Sequence, residues 1–272
     1  MVNNVGYEKM KVLKGVKVND FAYPEAVDAY EALNRAPLIK PALTWLCAKS
    51  NQGVLRNSVL GNCFEVSETE LPDLFKILKE TCSVLDYGPV PRLFTYHNSS
   101  YDFTIFVGEP SIVVIPDFSL LCMDESMLRF QMGRSITALK ADSSQLSMLV
   151  TALSVASFSI NIPGFGNAVW ALIADWARKE QYSEDRGGLL ACQDINAAER
   201  TLMTFAGMPA KYQEPDCLTE YIRTYQENPM LATTFQYLRT INRTESWKND
   251  RILSLYQWYL SGEYDDILEK YG

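Results

Sequence analysis

Histidine is almost missing from this 272-residue chain: His97 is the single one, so no metal site built on two imidazoles can exist anywhere in it. His97 itself is expected at a strand end or in a loop. Positive charge is also short, with 25 Lys and Arg against 33 Asp and Glu and a net charge of −8, which leaves no basic surface for a phosphate backbone. No nucleic acid is expected as a partner. The cysteines at 47, 63, 82, 122, 192 and 217 show no paired spacing such as Cys-x-x-Cys. Free thiols buried as small apolar side chains are expected in preference to a disulfide framework. Met1 to Asp20 alternates polar and apolar residues and does not resemble a secretory signal, so the expected localisation is cytoplasmic. Charge vanishes from Ser143 to Ala174, which raises a membrane reading. Serines, Thr151, Asn161 and the break Pro163-Gly164-Phe165-Gly166 keep either half from the roughly 20 apolar residues that a span needs. Two buried helices joined by a Pro-Gly turn fit better, and no membrane span is expected.

What is present is enough for a sizeable core: 47% of the side chains are hydrophobic and 21% charged. No repeat or low-complexity linker divides the chain, so a single domain over 1–272 is expected, with a helical N-terminal region over 1–88, a small sheet over 89–118 and a second helical region over 119–272. Pro24 sits at a first helical turn, and Ala26, Val27, Tyr30 and Leu33 follow at helical spacing. Ala42 to Lys49 reads as helix, and Asn51 to Phe64, with Gly53 and Gly61, as a loop or hairpin. Leu71, Leu74, Phe75, Leu78 and Cys82 mark a helix after Pro72 that ends near Tyr87-Gly88-Pro89. The period then changes. Arg92–Tyr96, Tyr101–Val107 and Ser111–Ile115 are β-branched and aromatic runs that predict a three-stranded antiparallel meander.

The centre of the chain is Asp124 to Lys140. Asp124 stands at an N-cap, and Met127, Phe130, Gln131, Arg134 and Ala138 share a helix face that predicts burial. Helices follow over Trp176–Ala191, Ile195–Ala206, Cys217–Glu227, Leu231–Tyr237 and Asp250–Leu260. The expected class is α+β and mostly helical.

Several segments carry a resemblance that spans nearly the whole chain. They are Leu93-Phe94-Thr95-Tyr96, Pro110 to Ile115, Ser119 to Phe130, Trp176 to Asp194, which is the most specific, and Trp258 to Leu268. Together they resemble the HtpX and CaaX-prenyl-protease type zinc metallopeptidases, peptidase family M forty-eight. The resemblance implies a zincin-like, gluzincin scaffold with a small antiparallel sheet beside the active-site helix. Such an enzyme needs His-Glu-x-x-His on one helix and a glutamate on a later one. By the resemblance Arg134 and Ala138 replace the two histidines, Ser135 the catalytic glutamate and Gln181 the third ligand. A guanidinium repels a dication and alanine donates nothing, so the resemblance implies a degenerate member with no zinc, no cofactor and no catalytic residues.

Asp185 stands where the family has an acidic residue behind a metal-binding histidine, and a structural ion pair between Arg134 and Asp185 is the expectation for the emptied site. The resemblance also implies an extended ligand laid beside the sheet edge, with Tyr101, Asp102, Phe103, Thr104 and Ile105 as peptide-binding candidates. The expected function is that of a pseudoprotease: a peptide- or protein-binding accessory or scaffold factor that presents a precursor peptide to partner enzymes. The alternative is a metal-independent enzyme using a remodelled pocket around Arg134, Ser135, Thr137, Tyr182 and Asp185.

Overall fold

The computed structural model describes residues 9–35, 53–155, 167–209, 212–213, 222–223 and 244–272. Their elements run α1 Pro24–Arg35, α2 Gly53–Asn62, β1 Phe64–Val66, α3 Pro72–Val84, β2 Arg92–Tyr96, β3 Thr104–Phe106 and β4 Ile112–Pro116. Then follow α4 Asp117–Cys122, α5 Glu125–Lys140, α6 Ser144–Val155, α7 Asn167–Cys192, α8 Ile195–Phe205, α9 Lys248–Leu260 and α10 Glu263–Tyr271. The result is mostly helical with one small sheet, an α+β arrangement. The helices expected over Ala42–Lys49 and Leu231–Tyr237, the Pro163–Gly166 turn, and all but 222–223 of the Cys217–Glu227 helix lie outside the described residues.

Helix α5 starts where Asp124 caps it: the carboxylate accepts from the Met127 amide at 3.0 Å and also holds Arg200 Nη2 at 2.6 Å. Every residue from Ser126 to Leu139 is buried, so the helix has no solvent face, because α3, α6, α7, α8 and β3 all pack around it. The tightest contact is with α7. A Cβ on Gly133 would collide with Ala191, and one on Gly187 would collide with Thr137, so the two backbones approach as closely as they do only because these positions lack side-chain carbon. The main core, from Leu13 through Phe130 and Ile136 to Trp258 and Ile267, closes around this pair.

The sheet differs from the expected antiparallel meander. It has four strands in the order β1-β2-β4-β3, with β1–β2 and β3–β4 antiparallel and β2–β4 parallel. Ile112 to Ile115 is a continuous apolar run, buried throughout β4, and such a run suits a strand flanked on both sides. It inserts between β2 and β3 and pushes β3 to the edge. The loop or hairpin expected over Asn51–Phe64 is instead α2 followed by β1. The two glycines that suggested a loop stand at the start and near the end of that helix, and its Val59 packs against Phe94, Ile112 and Val114 on the outer face of the sheet. Helix α3 ends at Val84, three residues short of Tyr87, once Asp86 adopts φ 48°. Among the described residues no helix is long and apolar enough to cross a membrane, and Cys63, Cys82, Cys122 and Cys192 are free thiols.

Candidate functional site

A cleft of about 390 Å³ opens between α5, α6, α7 and the strand-edge segment 102–105, and is closed at one end by residues 244–248. It gathers residues that lie far apart in sequence: Gln131, Arg134, Ser135 and Ala138 from α5, Ser147 and Val150 from α6, Trp176, Ala177, Glu180, Gln181 and Glu184 from α7, and Asp102, Phe103, Thr104 and Ile105 from the sheet edge. Three- and four-residue spacing on each helix turns these side chains to one side. Arg134, Ser135, Ala138 and Gln181 therefore share one cleft with four of the five candidate peptide-binding residues. Tyr101 is the exception: its ring packs on Phe118 and Phe205, and its carbonyl accepts from Ser119 Oγ at 3.2 Å and Gln131 Nε2 at 3.4 Å.

Arg134 dominates the floor. Nη1 donates to Gln131 Oε1 at 2.9 Å and Nη2 to Glu184 Oε2 at 2.9 Å, while Nε stands 2.8 Å from Asp185 Oδ1 as an ionic contact rather than a directed hydrogen bond. Asp185 is not left to Arg134 alone. Arg251 from α9 grips both its oxygens, Nε to Oδ2 at 2.7 Å and Nη2 to Oδ1 at 2.6 Å, and the two side chains are each only 1% exposed. This fork-on-fork geometry is the strongest form of charge-assisted hydrogen bond. Burial works against the Arg251 charge, but Asp185 more than restores it and holds the guanidinium protonated. Gln181 serves as a tie: Nε2 donates to the Thr244 carbonyl at 2.9 Å, and Oε1 accepts from Arg251 Nη1 and from the Ser246 amide, both at 3.3 Å.

The carboxylates around this network divide by environment. Burial pushes the Glu184 carboxyl up, helped by Asp185 and Asp102 and opposed by Arg134 and Arg251. Burial likewise raises Glu180, with Glu184 adding to it and the Ser143 hydroxyl opposing, to about 7. At Asp102 the burial effect is outweighed by Lys248, Arg134 and Arg251, and its carboxyl lies below the usual range. Lys248 is lowered, first by burial and then by Arg251 and Arg134.

These donors do not fit a zinc ion. At the positions that the resemblance assigns to ligands stand a charged guanidinium, a methyl group and an amide whose oxygen is already engaged, and among the described residues no group of three or more His, Cys, Asp or Glu side chains is placed to hold a metal. His97 lies outside the cleft, exposed and paired with Asp117 Oδ2 at 2.7 Å. The remodelled pocket expected around Arg134, Ser135, Thr137, Tyr182 and Asp185 does not form as a unit. Thr137 faces Gly187, and Tyr182 stacks on Tyr23 at 4.8 Å, away from the cleft. Ser135 Oγ donates back to the Gln131 carbonyl at 3.2 Å. Lys140 bonds the carbonyls of Leu85 and Asp86, and Lys179 pairs with Asp175, so neither can serve as its base.

Sequence reasoning missed Trp176, Glu180, Glu184 and Lys248 in the cleft wall and Arg251 as the partner of Asp185. Trp176, Glu180 and Glu184 repeat at one-turn spacing on α7, which puts them on one face but does not tell a buried glutamate from a solvated one.

Comparison with known proteins finds a distant likeness to a metallopeptidase. No family model matches the chain, and no solved structure matches it. Among curated proteins it is similar to plastoglobule-localized metallopeptidase 48, chloroplastic, of Arabidopsis thaliana, at 21% identity over 277 residues that cover 95% of this chain and 78% of the relative. The likeness is distant and extends along nearly the whole chain.

Proposed function

We propose that this chain is a pseudoprotease: a distant relative of a metallopeptidase that binds an extended peptide or protein segment beside β3 and does not cut it. The observation that carries this reading is the sharing of one cleft by the edge-strand segment 102–105 and by Arg134, Ser135, Ala138 and Gln181. Among the described residues β3 pairs only with β4, and its other edge offers backbone N–H and C=O groups to an added strand, a mode of binding that requires no metal. Where hydrolytic chemistry would stand, the Arg134–Glu184–Asp185–Arg251 network fills the floor with paired charge. An accessory role follows, in which the chain holds a precursor peptide for partner enzymes.

The test is calorimetric titration of blocked, extended peptides into the purified protein, with mass spectrometry of the same mixtures with and without added zinc. Binding with intact peptide is expected. Zinc-dependent cleavage, or no peptide binding at all, would overturn the reading.

A further inference from the structure

Trp176, Glu180 and Glu184 form a stripe along α7, one turn apart, in the wall of the cleft. One of the three, Trp176, carries a buried polar group that is unpaired among the described residues. The Trp176 side chain is 1% exposed, and its indole N–H has no hydrogen-bond partner. Glu180 is 7% exposed, and its Oε1 accepts from Ser143 Oγ at 3.0 Å. A buried N–H left unpaired costs stability, and a ligand that satisfies it recovers it. Ala138 from α5, Val150 from α6 and Ala177 from α7 add small apolar walls to the same cleft.

The charge balance favours one sign. Asp102, Glu180, Glu184 and Glu245 line the cleft against Arg134 and Lys248. Arg134 is already engaged by Glu184 and Asp185, and Lys248 lies 3.8 Å from Glu245 and is drawn toward Asp102. The carboxylates do not converge as metal ligands do. An apolar sleeve that ends in a carboxylate suits a flexible alkyl stem with a cationic tip, and an indole N–H beside it suits a carbonyl oxygen. A peptide with a basic residue supplies both, whereas a free metal ion supplies neither.

We propose that the pocket between α5, α6 and α7 is a subsite for a lysine side chain of the bound segment, with its ammonium on Glu180 and Glu184 and a neighbouring backbone carbonyl on Trp176 Nε1. This rests on the peptide-binding reading and specifies which peptides the cleft takes. Burial holds Glu180 up near 7 in the free protein, consistent with a carboxylate still lacking its counter-charge.

The experiment uses the full chain and two kinds of probe. The first is a blocked nine-residue peptide of alternating serine and valine with lysine, norleucine or glutamate at its centre. The second is Nα-acetyl-lysine methylamide with its norleucine counterpart. The lysine peptide is expected to bind at least tenfold more tightly than the norleucine peptide and the glutamate peptide most weakly. Glu180→Gln is expected to bring the lysine peptide down to the affinity of the norleucine peptide measured on the same variant. Equal binding of lysine and norleucine peptides by the wild-type protein overturns the subsite and leaves peptide binding standing, and this comparison needs no variant to fold. Selective binding of acetyl-lysine methylamide without binding of any nine-residue peptide supports the subsite and overturns the extended-segment reading. No binding of either probe overturns both.

Discussion

Two buried arginines stand five residues apart on α5 and are used differently. Arg129, 2% exposed, points into the main core and bonds Glu80 of α3 and Glu125 of its own helix, the latter at 2.6 Å. Arg134, 7% exposed, points to the cleft and touches Gln131, Glu184 and Asp185, with the half-exposed Asp102 at 3.7 Å. Arg129 ties α3 to α5, as a structural ion pair does. Arg134 joins a network that runs from the cleft floor to α9 and shares its acids with Arg251 and Lys248. The contrast separates a charge retained to hold helices together from one that closes a pocket.

The sharpest way to test the contrast is to remove each guanidinium. Arg129→Met leaves Glu80 buried with only Lys76 at 3.8 Å, and the expected loss is roughly 3–5 kcal/mol by denaturant unfolding, with the residual peptide affinity of the folded fraction unchanged. Arg134→Met is expected to cost less, about 1–3 kcal/mol, because Asp185 keeps both hydrogen bonds to Arg251 and the raised Glu184 carboxyl can take a proton. In a double-mutant cycle of Arg134→Met with Asp185→Asn, a coupling of about 1 kcal/mol or more is expected; additive effects would detach Arg134 from the network.

Next in size is a pH effect on the cleft side. Glu180 is raised when folded, so its contribution is fully present below the unfolded value of 4.5 and is lost as pH rises through about 7. Stability should therefore fall between about pH 4.5 and 7, and Glu180→Gln should flatten that slope by roughly 1–2 kcal/mol. Glu199, in the core and raised to about 8 by burial and by Asp194, gives a second fall that Glu180→Gln leaves untouched. The smallest effect is expected at Ser135→Ala, within about 0.5 kcal/mol, with no change in any hydrolytic background. A larger loss of activity there would restore Ser135 as a reacting group.

Much of the helical frame was legible because helical spacing and caps are local. Asp124 and its helix could be read from a dozen residues. The sheet order was not: β4 between β2 and β3 depends on which apolar run finds cover on two sides, a decision made by α2, which two glycines disguised as a loop. At the site, Arg134 and Asp185 could be named because the resemblance implied both positions, and the structure brings them to 2.8 Å. Arg251 could not be tied to Asp185, because the bond links residues 66 apart that only the packing of α9 on α7 brings together. Glu180 was hidden for another reason: a glutamate on an otherwise mixed helix looks like any solvated one until its burial is known.

The parallel pairing of β2 with β4 has a further consequence. Five consecutive residue pairs, Arg92 with Ile112 through Tyr96 with Pro116, join the two strands directly, while everything between them, β3 included, is an excursion that leaves the ladder and returns. An excursion of this kind can lengthen, shorten or change sequence while the strands at its base keep their partners. The sheet's side of the cleft is thus the portion of the sheet most open to replacement, since residues 97–111 can be rewritten while Arg92 to Tyr96 keep their partners on β4.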